Sequence, residues 1–183
     1  DSPIESMSVA LVGQPNAGKS TLTNRLAQEK RVLVSPVAGT TRNPITTDIT
    51  FRHKQIRLID TAGIPKRKQN KTALSKITFL KTQQVYRSAD VVVVLLDASR
   101  TLSDQDKRIL NNCIRSYQPI VVALNRWDLL TAKERKITRI RYKELLHFMS
   151  YIPVVSISAA TGYGVSALMR AVDQVYHATR RVH

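Results

Sequence analysis

An eight-residue segment near the start of the sequence has the residue types and the spacing that bind phosphate. It fits the pattern G-x-x-x-x-G-K-[ST], and its residues are Gly13, Gln14, Pro15, Asn16, Ala17, Gly18, Lys19 and Ser20. An apolar run at residues 9–12 predicts a buried strand before it, and the residues from Thr21 onwards predict a helix after it. The N–H groups of such a loop and the dipole of the helix attract an anion. Lys19 can then reach the β- and γ-phosphates of a nucleotide, and the Ser20 hydroxyl can ligate Mg²⁺.

A second segment, Asp60-Thr61-Ala62-Gly63, follows a strand-like run at residues 56–59. Ligands of open α/β sheets bind at the carboxyl ends of the strands, so Asp60 is predicted to hold Mg²⁺, through a water molecule. Gly63 has no side chain to prevent its N–H from approaching a γ-phosphate. On its own the segment is a weak signal, because an Asp at the end of a strand is usually a turn former.

A third segment, Asn125-Arg126-Trp127-Asp128, predicts recognition of guanine. The Asp128 carboxylate can accept two hydrogen bonds from the N1–H and N2–H₂ edge of guanine, whereas adenine has no such pair of donors and would leave the carboxylate unpaired. A fourth segment, Ser158-Ala159-Ala160, has small residues that allow a backbone N–H to meet the guanine O6. Taken alone, each could be an ordinary exit from a strand; together they predict a site for GTP or GDP.

The hydrophobic pattern predicts the elements that position these segments. The predicted strands are residues 8–12, 45–51, 56–60, 91–97, 119–125 and 153–158. The predicted helices are residues 18–28, 72–87, 103–117, 132–149 and 164–180, and Ser103 with Asp106 is a helix-start signal. Apolar strands that alternate with helices favour an α/β fold with a mostly parallel six-stranded sheet and helices on both faces.

The chain resembles the TrmE-Era-EngA-like P-loop GTPases, and among them the second GTPase domain of the tandem Der (EngA) GTPases. The matching segments are residues 15–25, 38–42, 60–64, 103–106, 125–128 and 178–182. The basic stretch after Ile64, Trp127 and the final Thr-Arg-Arg-Val favour the second Der domain in particular. The resemblance implies a slow, GTP-hydrolysing switch domain (G domain) with Mg²⁺ as cofactor, acting in the assembly of the large ribosomal subunit.

The resemblance also implies roles that the pattern alone does not give. Thr41 would ligate Mg²⁺ from the first switch, with Thr40 as an alternative. Thr61, Ala62 and Ile64 would join the nucleotide-binding residues. Ile64 stands where many GTPases have a Gln that orients the attacking water. Asn16 would ligate a K⁺ ion that occupies the position of an arginine finger's positive charge, although it could be only a loop-stabilising amide.

One departure from the family concerns Arg126, which replaces the usual Lys of the base motif. The stem of either side chain can cover the base, but a guanidinium behaves differently from an ammonium. Guanine preference should survive because it depends on Asp128, while the effect on affinity stays open.

The charge of the chain predicts a polyanionic partner. Its 29 Lys and Arg residues against 13 Asp and Glu give a formal net charge of +16. One nucleotide does not require so much charge, so ribosomal RNA or a ribosomal particle is the expected partner. Lys66–Lys71 and the helix around Lys133–Lys143 are the candidate surfaces. Either could equally be a solvated face.

The length of 183 residues fits one domain, and we expect residues 1–7 to be a linker remnant and residues 8–183 to be the GTP-binding domain of a larger protein. The lone Cys113 excludes an internal disulfide and fits a cytoplasmic protein. No run is long enough to span a membrane, and no membrane partner is expected. Two rival functions stay open: a GTPase domain of tRNA modification, or a GDP/GTP-gated RNA-binding sensor with negligible hydrolysis.

Overall fold

The computed structural model describes residues 6–30, 45–60, 84–149 and 151–180. Within these ranges six strands form one sheet: β1 (Ser6–Val12), β2 (Ile45–Phe51), β3 (Lys54–Asp60), β4 (Val91–Asp97), β5 (Ile120–Asn125) and β6 (Val154–Ser156). Their order across the sheet is β2-β3-β1-β4-β5-β6. Only β2 is antiparallel to its neighbour, so the carboxyl ends of the other five strands share one edge. The predicted α/β fold with a mostly parallel sheet is confirmed.

In the described ranges, and apart from the helical residues 84–88, four helices cover the two faces of this sheet: α1 (Lys19–Lys30), α2 (Asp104–Arg115), α3 (Ala132–Leu145) and α4 (Val165–Arg180). The sheet is buried on both faces because its central strands are continuous apolar runs. Leu11, Val93 and Leu95 point into the core under α1 and α4. Val94 and Leu96 point to the other side, into the core that includes Leu110 of α2 and Tyr142 of α3, and Cys113 is buried there.

Several boundaries differ from the predicted ones. β1 begins at Ser6 with Met7 buried, two residues before the predicted start. α3 ends at Leu145, and residues up to Met149 form a separate 3₁₀ turn, His147–Met149. β6 has three residues rather than six. Of the predicted helix at 72–87, residues 84–88 are helical and residues 72–83 lie outside the described ranges.

The turn between β2 and β3 is a two-residue hairpin that the sequence did not predict. Arg52 and His53 have φ angles of +49° and +65°, and Phe51 pairs with Lys54. Two successive positive φ angles define the type I′ turn that matches the twist of the strands. Such turns normally have Asn or Gly, so the sequence carries no signal here, and β3 therefore begins two residues earlier than predicted.

Candidate functional site

The phosphate loop predicted at Gly13–Ser20 connects the end of β1 to the start of α1. Pro15–Ala17 form a 3₁₀ turn, and the Ala17 N–H donates to the Gln14 carbonyl (3.0 Å). A Cβ at position 13 would collide with the carbonyl oxygen of Leu95, so only glycine fits there. Gly18 has φ +101°, which L side chains rarely adopt. The sequence thus folds into a tight loop at the carboxyl edge of the sheet.

Lys19, the predicted phosphate ligand, and Ser20, the predicted Mg²⁺ ligand, lie where the phosphate loop runs into the first turn of α1. Lys19 is nearly buried (4% exposed), whereas the side chains of Ser20 and Thr21 are exposed. Asp60 ends β3, and its backbone is in register with Leu11 of the neighbouring β1. These positions bring a hydroxyl and a carboxylate-bearing residue to one edge of the sheet, and hard oxygen donors of this type suit Mg²⁺. The side chain of Asp60, and Thr41, Thr61, Ala62, Gly63 and Ile64 entirely, lie outside the described residues.

Asn125 joins the phosphate loop to the turn at Ser158–Ala160. Its amide nitrogen donates to the carbonyl of Ala17 (2.8 Å), and its amide oxygen accepts from the N–H of Ala159 (2.9 Å). The side chain is buried at the end of β5. It also lies where a Cβ at Gly18 would collide with its amide nitrogen. One buried amide therefore sets the distance between the phosphate end and the base end of the site.

The head of Arg126 is bound by protein groups rather than left free. Its guanidinium donates to Asp97 Oδ2 (2.5 Å) at the end of β4 and to the carbonyl of Asn16 (2.8 Å) in the phosphate loop. Arg126 has φ +64°, a left-handed conformation that is unfavourable for a residue with a side chain. Such strain is found at functional sites when surrounding contacts hold it. The planar guanidinium of Arg126 thus donates to two acceptors at once. The ammonium group of a Lys at this position would donate to them with a different geometry.

Asp128 lies in the 3₁₀ turn Trp127–Leu129 and is exposed. The preceding Trp127 is buried (1% exposed), and its backbone N–H donates to the carbonyl of Ile157 (3.1 Å). Among the described residues, no group is hydrogen-bonded to or ion-paired with the Asp128 carboxylate. The buried Trp127 therefore anchors a carboxylate that is available to a ligand.

The turn at Ser158–Ala160 has one N–H group available for a base. Ser158 N–H donates to the carbonyl of Tyr163 (2.9 Å), and Ala159 N–H is used by Asn125. In the described part of the chain, Ala160 N–H has no protein acceptor. Arg25 of α1 donates to the carbonyls of Ala159 and Ala160, both at 2.5 Å, and so ties this turn to the helix of the phosphate loop.

A further contact fixes the phosphate loop from the side of α2. The Gln14 amide donates to Ser103 Oγ (2.7 Å) and to Asp106 Oδ1 (2.9 Å). Ser103 and Asp106 also form the reciprocal capping box of α2, which confirms the predicted helix start. The residues that begin α2 therefore hold the loop as well.

Sequence reasoning missed Arg25, Asp97, Ser103 and Asp106 as parts of this site. For Asp97 a signal existed, since it ends a strand parallel to the strand that Asn125 ends, and the two are in register. For Arg25 none existed, because its acceptors are backbone carbonyls more than 130 residues away.

Two buried ionisable groups of the core beside α2 and α3, Tyr142 and Cys113, stay neutral at neutral pH. Burial, assisted by the carboxylates of Asp106 and Asp97, raises the pKa of Tyr142 to about 12. Burial raises the pKa of the Cys113 thiol to about 12 as well. Neither group adds charge beside a nucleotide at neutral pH, and neither has the lowered pKa of a nucleophile.

Two other features of the described residues lie outside the site. A cavity of about 270 Å³ opens at the amino end of β1, opposite the phosphate loop, and is lined by residues such as Ser6, Asp48 and Arg57. None of the residues predicted to bind nucleotide lines it. Within the described ranges no helix is long and apolar enough to cross a membrane.

Comparison with known proteins places this site in a family. A family model described as 50S ribosome-binding GTPase matches residues 8–126, from the strand before the phosphate loop to the base motif. Proteins named GTPase Der are similar over nearly the whole chain. That of Fusobacterium nucleatum is 38% identical over 97% of this chain and 41% of its own length, and that of Acidithiobacillus ferrooxidans is 40% identical over 94% and 38%. The chain therefore spans about two fifths of the length of these relatives.

Solved structures agree with this assignment. Era from Aquifex aeolicus, bound to GDP and aluminium fluoride, superimposes with a TM-score of 0.73 at 28% identity, over 94% of this chain and 57% of that chain. Era in complex with MgGDPNP and a segment of 16S ribosomal RNA gives a TM-score of 0.72, with the same identity and coverage. The sequence relatives thus confirm the predicted relation to the Der GTPases. The solved structures confirm the predicted P-loop fold. Because the family match includes the whole phosphate loop and extends to Arg126 of the base motif, the chain is a GTPase domain that belongs to the family of 50S ribosome-binding GTPases.

Proposed function

We propose that this domain binds GTP, hydrolyses it slowly, and couples its nucleotide state to the large ribosomal subunit. The observation that carries the nucleotide site is the buried Asn125 amide, which joins the phosphate loop to the turn at Ser158–Ala160. In a site built in this way, phosphates would bind at one end and a base at the other. Asp128, exposed and without a protein partner in the described ranges, would accept the guanine N1–H and N2–H₂ donors.

At the phosphate end, Lys19 would bind the β- and γ-phosphates, and Ser20, Asp60 and Thr41 would hold Mg²⁺. When bound there, Mg²⁺ neutralises charge on the phosphate oxygens. The backbone N–H of Gly63 would orient the γ-phosphate. Hydrolysis by loops of this type depends mainly on positioning and charge, because little covalent chemistry falls to the protein.

Asn16 is the proposed ligand for K⁺. Its side chain is exposed, while its carbonyl accepts from Arg126 (2.8 Å), so the backbone is held and the amide is available. The Ile64 side chain cannot hydrogen-bond a water molecule. The positive charge that neutralises the β–γ bridge must therefore come from another group. A monovalent cation held by the Asn16 amide would supply it.

We expect GTP turnover to be at least several-fold faster in K⁺ than in Na⁺ at equal ionic strength, because Na⁺ is smaller and fits the same oxygen ligands poorly. Asn16→Ala is expected to abolish this difference while leaving GDP affinity nearly unchanged, since the carbonyl that binds Arg126 remains. Phosphate release in the two salts is the measurement, with Asn111→Ala on the exposed face of α2 as the control. Equal turnover in both salts for the unchanged protein would return Asn16 to a structural role.

The ribosomal part of the proposal rests on the family and on charge. The matching family is described as 50S ribosome-binding, and the related Era was crystallised with ribosomal RNA. A formal net charge of +16 favours association with a polyanion. Because the Der relatives are more than twice as long as this chain, we propose that the domain works beside other domains of a longer protein, as the second GTPase domain of a Der-like pair. The lone cysteine suits the reducing cytoplasm.

A sedimentation assay with purified large ribosomal subunits tests this function. We expect the domain to co-sediment more strongly with a non-hydrolysable GTP analogue than with GDP, and we expect the subunits to accelerate phosphate release. Small subunits serve as the control particle. Identical sedimentation with either nucleotide, together with unchanged turnover, would refute the coupling.

A further inference from the structure

The helix α3 has an unusually exposed and unusually basic surface. Of its 14 residues, only Thr138 and Tyr142 are buried. It carries six cations and two carboxylates, the largest positive excess among the four helices: Lys133, Arg135, Lys136, Arg139, Arg141 and Lys143 against Glu134 and Glu144. In the described part of the chain none of these six cations forms an ion pair. Structural ion pairing therefore does not account for the charge.

The cations of α3 divide into two groups by what they contact. Arg135 donates to the carbonyl of Trp127 (3.3 Å), and its guanidinium is 6.0 Å from the centre of the Trp127 ring. The Arg139 guanidinium is 4.9 Å from the same ring centre. These two arginines cover the buried tryptophan of the base motif, and cation–π contact gives them a structural role. The remaining four cations have no comparable contact among the described residues.

Three of those four follow one stripe on the outward side of the helix. Lys133, Lys136 and Lys143 fall at i, i+3 and i+10, with Ile140 at i+7 between them. Residues three and four apart lie on the same face of a helix. The stripe is opposite Thr138 and Tyr142 and extends about 15 Å along the axis. We call the three lysines with Ile137 and Ile140 the α3 stripe; both isoleucines are about half exposed, at 45% and 50%.

We propose that the α3 stripe is the surface by which this domain binds ribosomal RNA. Three unpaired ammonium groups in a row match a chain that presents a phosphate at every nucleotide, and long flexible lysines reach such phosphates without fixed geometry. Two isoleucines are too few for a membrane-surface helix, which needs a long apolar face. The inference rests on the proposed ribosomal function and deepens it by naming the contact surface.

The test compares two triple variants that lose equal charge. The first is Lys133→Gln, Lys136→Gln and Lys143→Gln on α3. The matched control is Lys107→Gln, Arg108→Gln and Arg115→Gln on α2, three exposed cations on a helix with a net charge of only +1. Gln is as good a helix former as Lys and Arg, so both variants should keep the fold, which circular dichroism and melting temperature verify.

Binding to purified large-subunit ribosomal RNA is titrated from 50 to 300 mM KCl, roughly the range over which phosphate contacts change affinity most. We expect the α3 variant to lose about two to three units from the slope of log K against log salt and at least tenfold in affinity near 0.1 M salt. The α2 control should lose less than one unit. GDP affinity should be the same in all three proteins, because the stripe does not include the arginines on Trp127.

The outcomes separate the surface from the function. An unchanged slope in the α3 variant, with normal binding by the wild-type domain, overturns the α3 stripe and directs attention to Lys66–Lys71, while the ribosomal function stands. Equal losses in both triple variants also overturn it, because the binding would then be diffuse. Absence of wild-type binding to this RNA, together with no co-sedimentation with large subunits, refutes the proposed function itself. Binding to phosphatidylserine vesicles is measured last. If the α3 variant loses vesicle binding but keeps RNA binding, the α3 stripe is a membrane surface instead.

Discussion

Asp128→Asn is expected to weaken GDP and GTP binding by about 100-fold or more. The Asp128 carboxylate lies on a turn that the buried Trp127 fixes. We therefore expect that replacing Asp128 leaves the surrounding backbone unchanged. An amide presents a donor where guanine also has a donor, and hydrogen bonds to a charged acceptor are worth about 1.5–3 kcal/mol each. One bond becomes a donor–donor contact and the other loses its charged acceptor, which together give about 3 kcal/mol, a factor of about 100. Xanthosine nucleotides, which offer a carbonyl in place of the amino group, should bind the variant better than guanine nucleotides do.

Titration with fluorescent GDP, and competition by GTP, XDP and ADP, measures this change in specificity. Asp104→Asn is the matched control, since it removes an exposed carboxylate at the start of α2 without approaching the base. If GDP affinity in Asp128→Asn stays within threefold of the wild type, the carboxylate does not read the base.

The second large effect is expected from Asn125→Ala, which should lower the free energy of unfolding by about 2–4 kcal/mol even without nucleotide. The change removes two buried hydrogen bonds and leaves the Ala17 carbonyl and the Ala159 N–H without their partner. A buried polar group that loses its partner costs about 1–3 kcal/mol. GDP affinity should fall as well, because the phosphate loop and the turn at Ser158–Ala160 would no longer be joined.

Urea unfolding monitored by circular dichroism measures the stability, and Asn111→Ala, an exposed amide on α2, is the control. A second variant, Asn125→Asp, keeps an acceptor for the Ala159 N–H but places a buried carboxylate oxygen against the Ala17 carbonyl, so it should be at least as destabilising as Asn125→Ala. An unfolding free energy within about 0.5 kcal/mol of the wild type for Asn125→Ala, the range of ordinary surface changes, would mean that water replaces both contacts and that the amide is no structural bridge.

The fold was predictable from the sequence because its central strands are unbroken apolar runs between glycine, aspartate and asparagine residues. Val91–Asp97 is correct to the residue, since a strand buried on both faces needs apolar residues at every position. Failures arose where conformation and residue type disagree. The β2–β3 hairpin turns through Arg52 and His53, neither of which signals a positive φ, and the end of α3 breaks into a 3₁₀ turn that a continuous helical pattern hides.

The loops of the candidate site were predictable from the sequence, but the hydrogen bonds that connect those loops were not. Motif spacing locates Gly13–Ser20 and Asn125–Asp128 because backbone geometry and ligand chemistry restrict those residue types. It does not locate the acceptors of Arg126, since Asp97 and the Asn16 carbonyl meet only after β1, β4 and β5 align. The open question of how Arg replaces Lys in the base motif has a structural answer there: its head binds two protein acceptors and braces the phosphate loop.

The contacts among the loops have a kinetic consequence. Asn125, Arg126, Arg25 and Gln14 join the base and phosphate ends through contacts between protein groups. A site held together by its own protein contacts requires little ordering at the moment of encounter. Association with GDP and GTP at this end of the site should therefore be rapid and similar for both. Differences in affinity would then lie in how long each nucleotide stays, so that residence time becomes the property that a ribosomal partner can regulate.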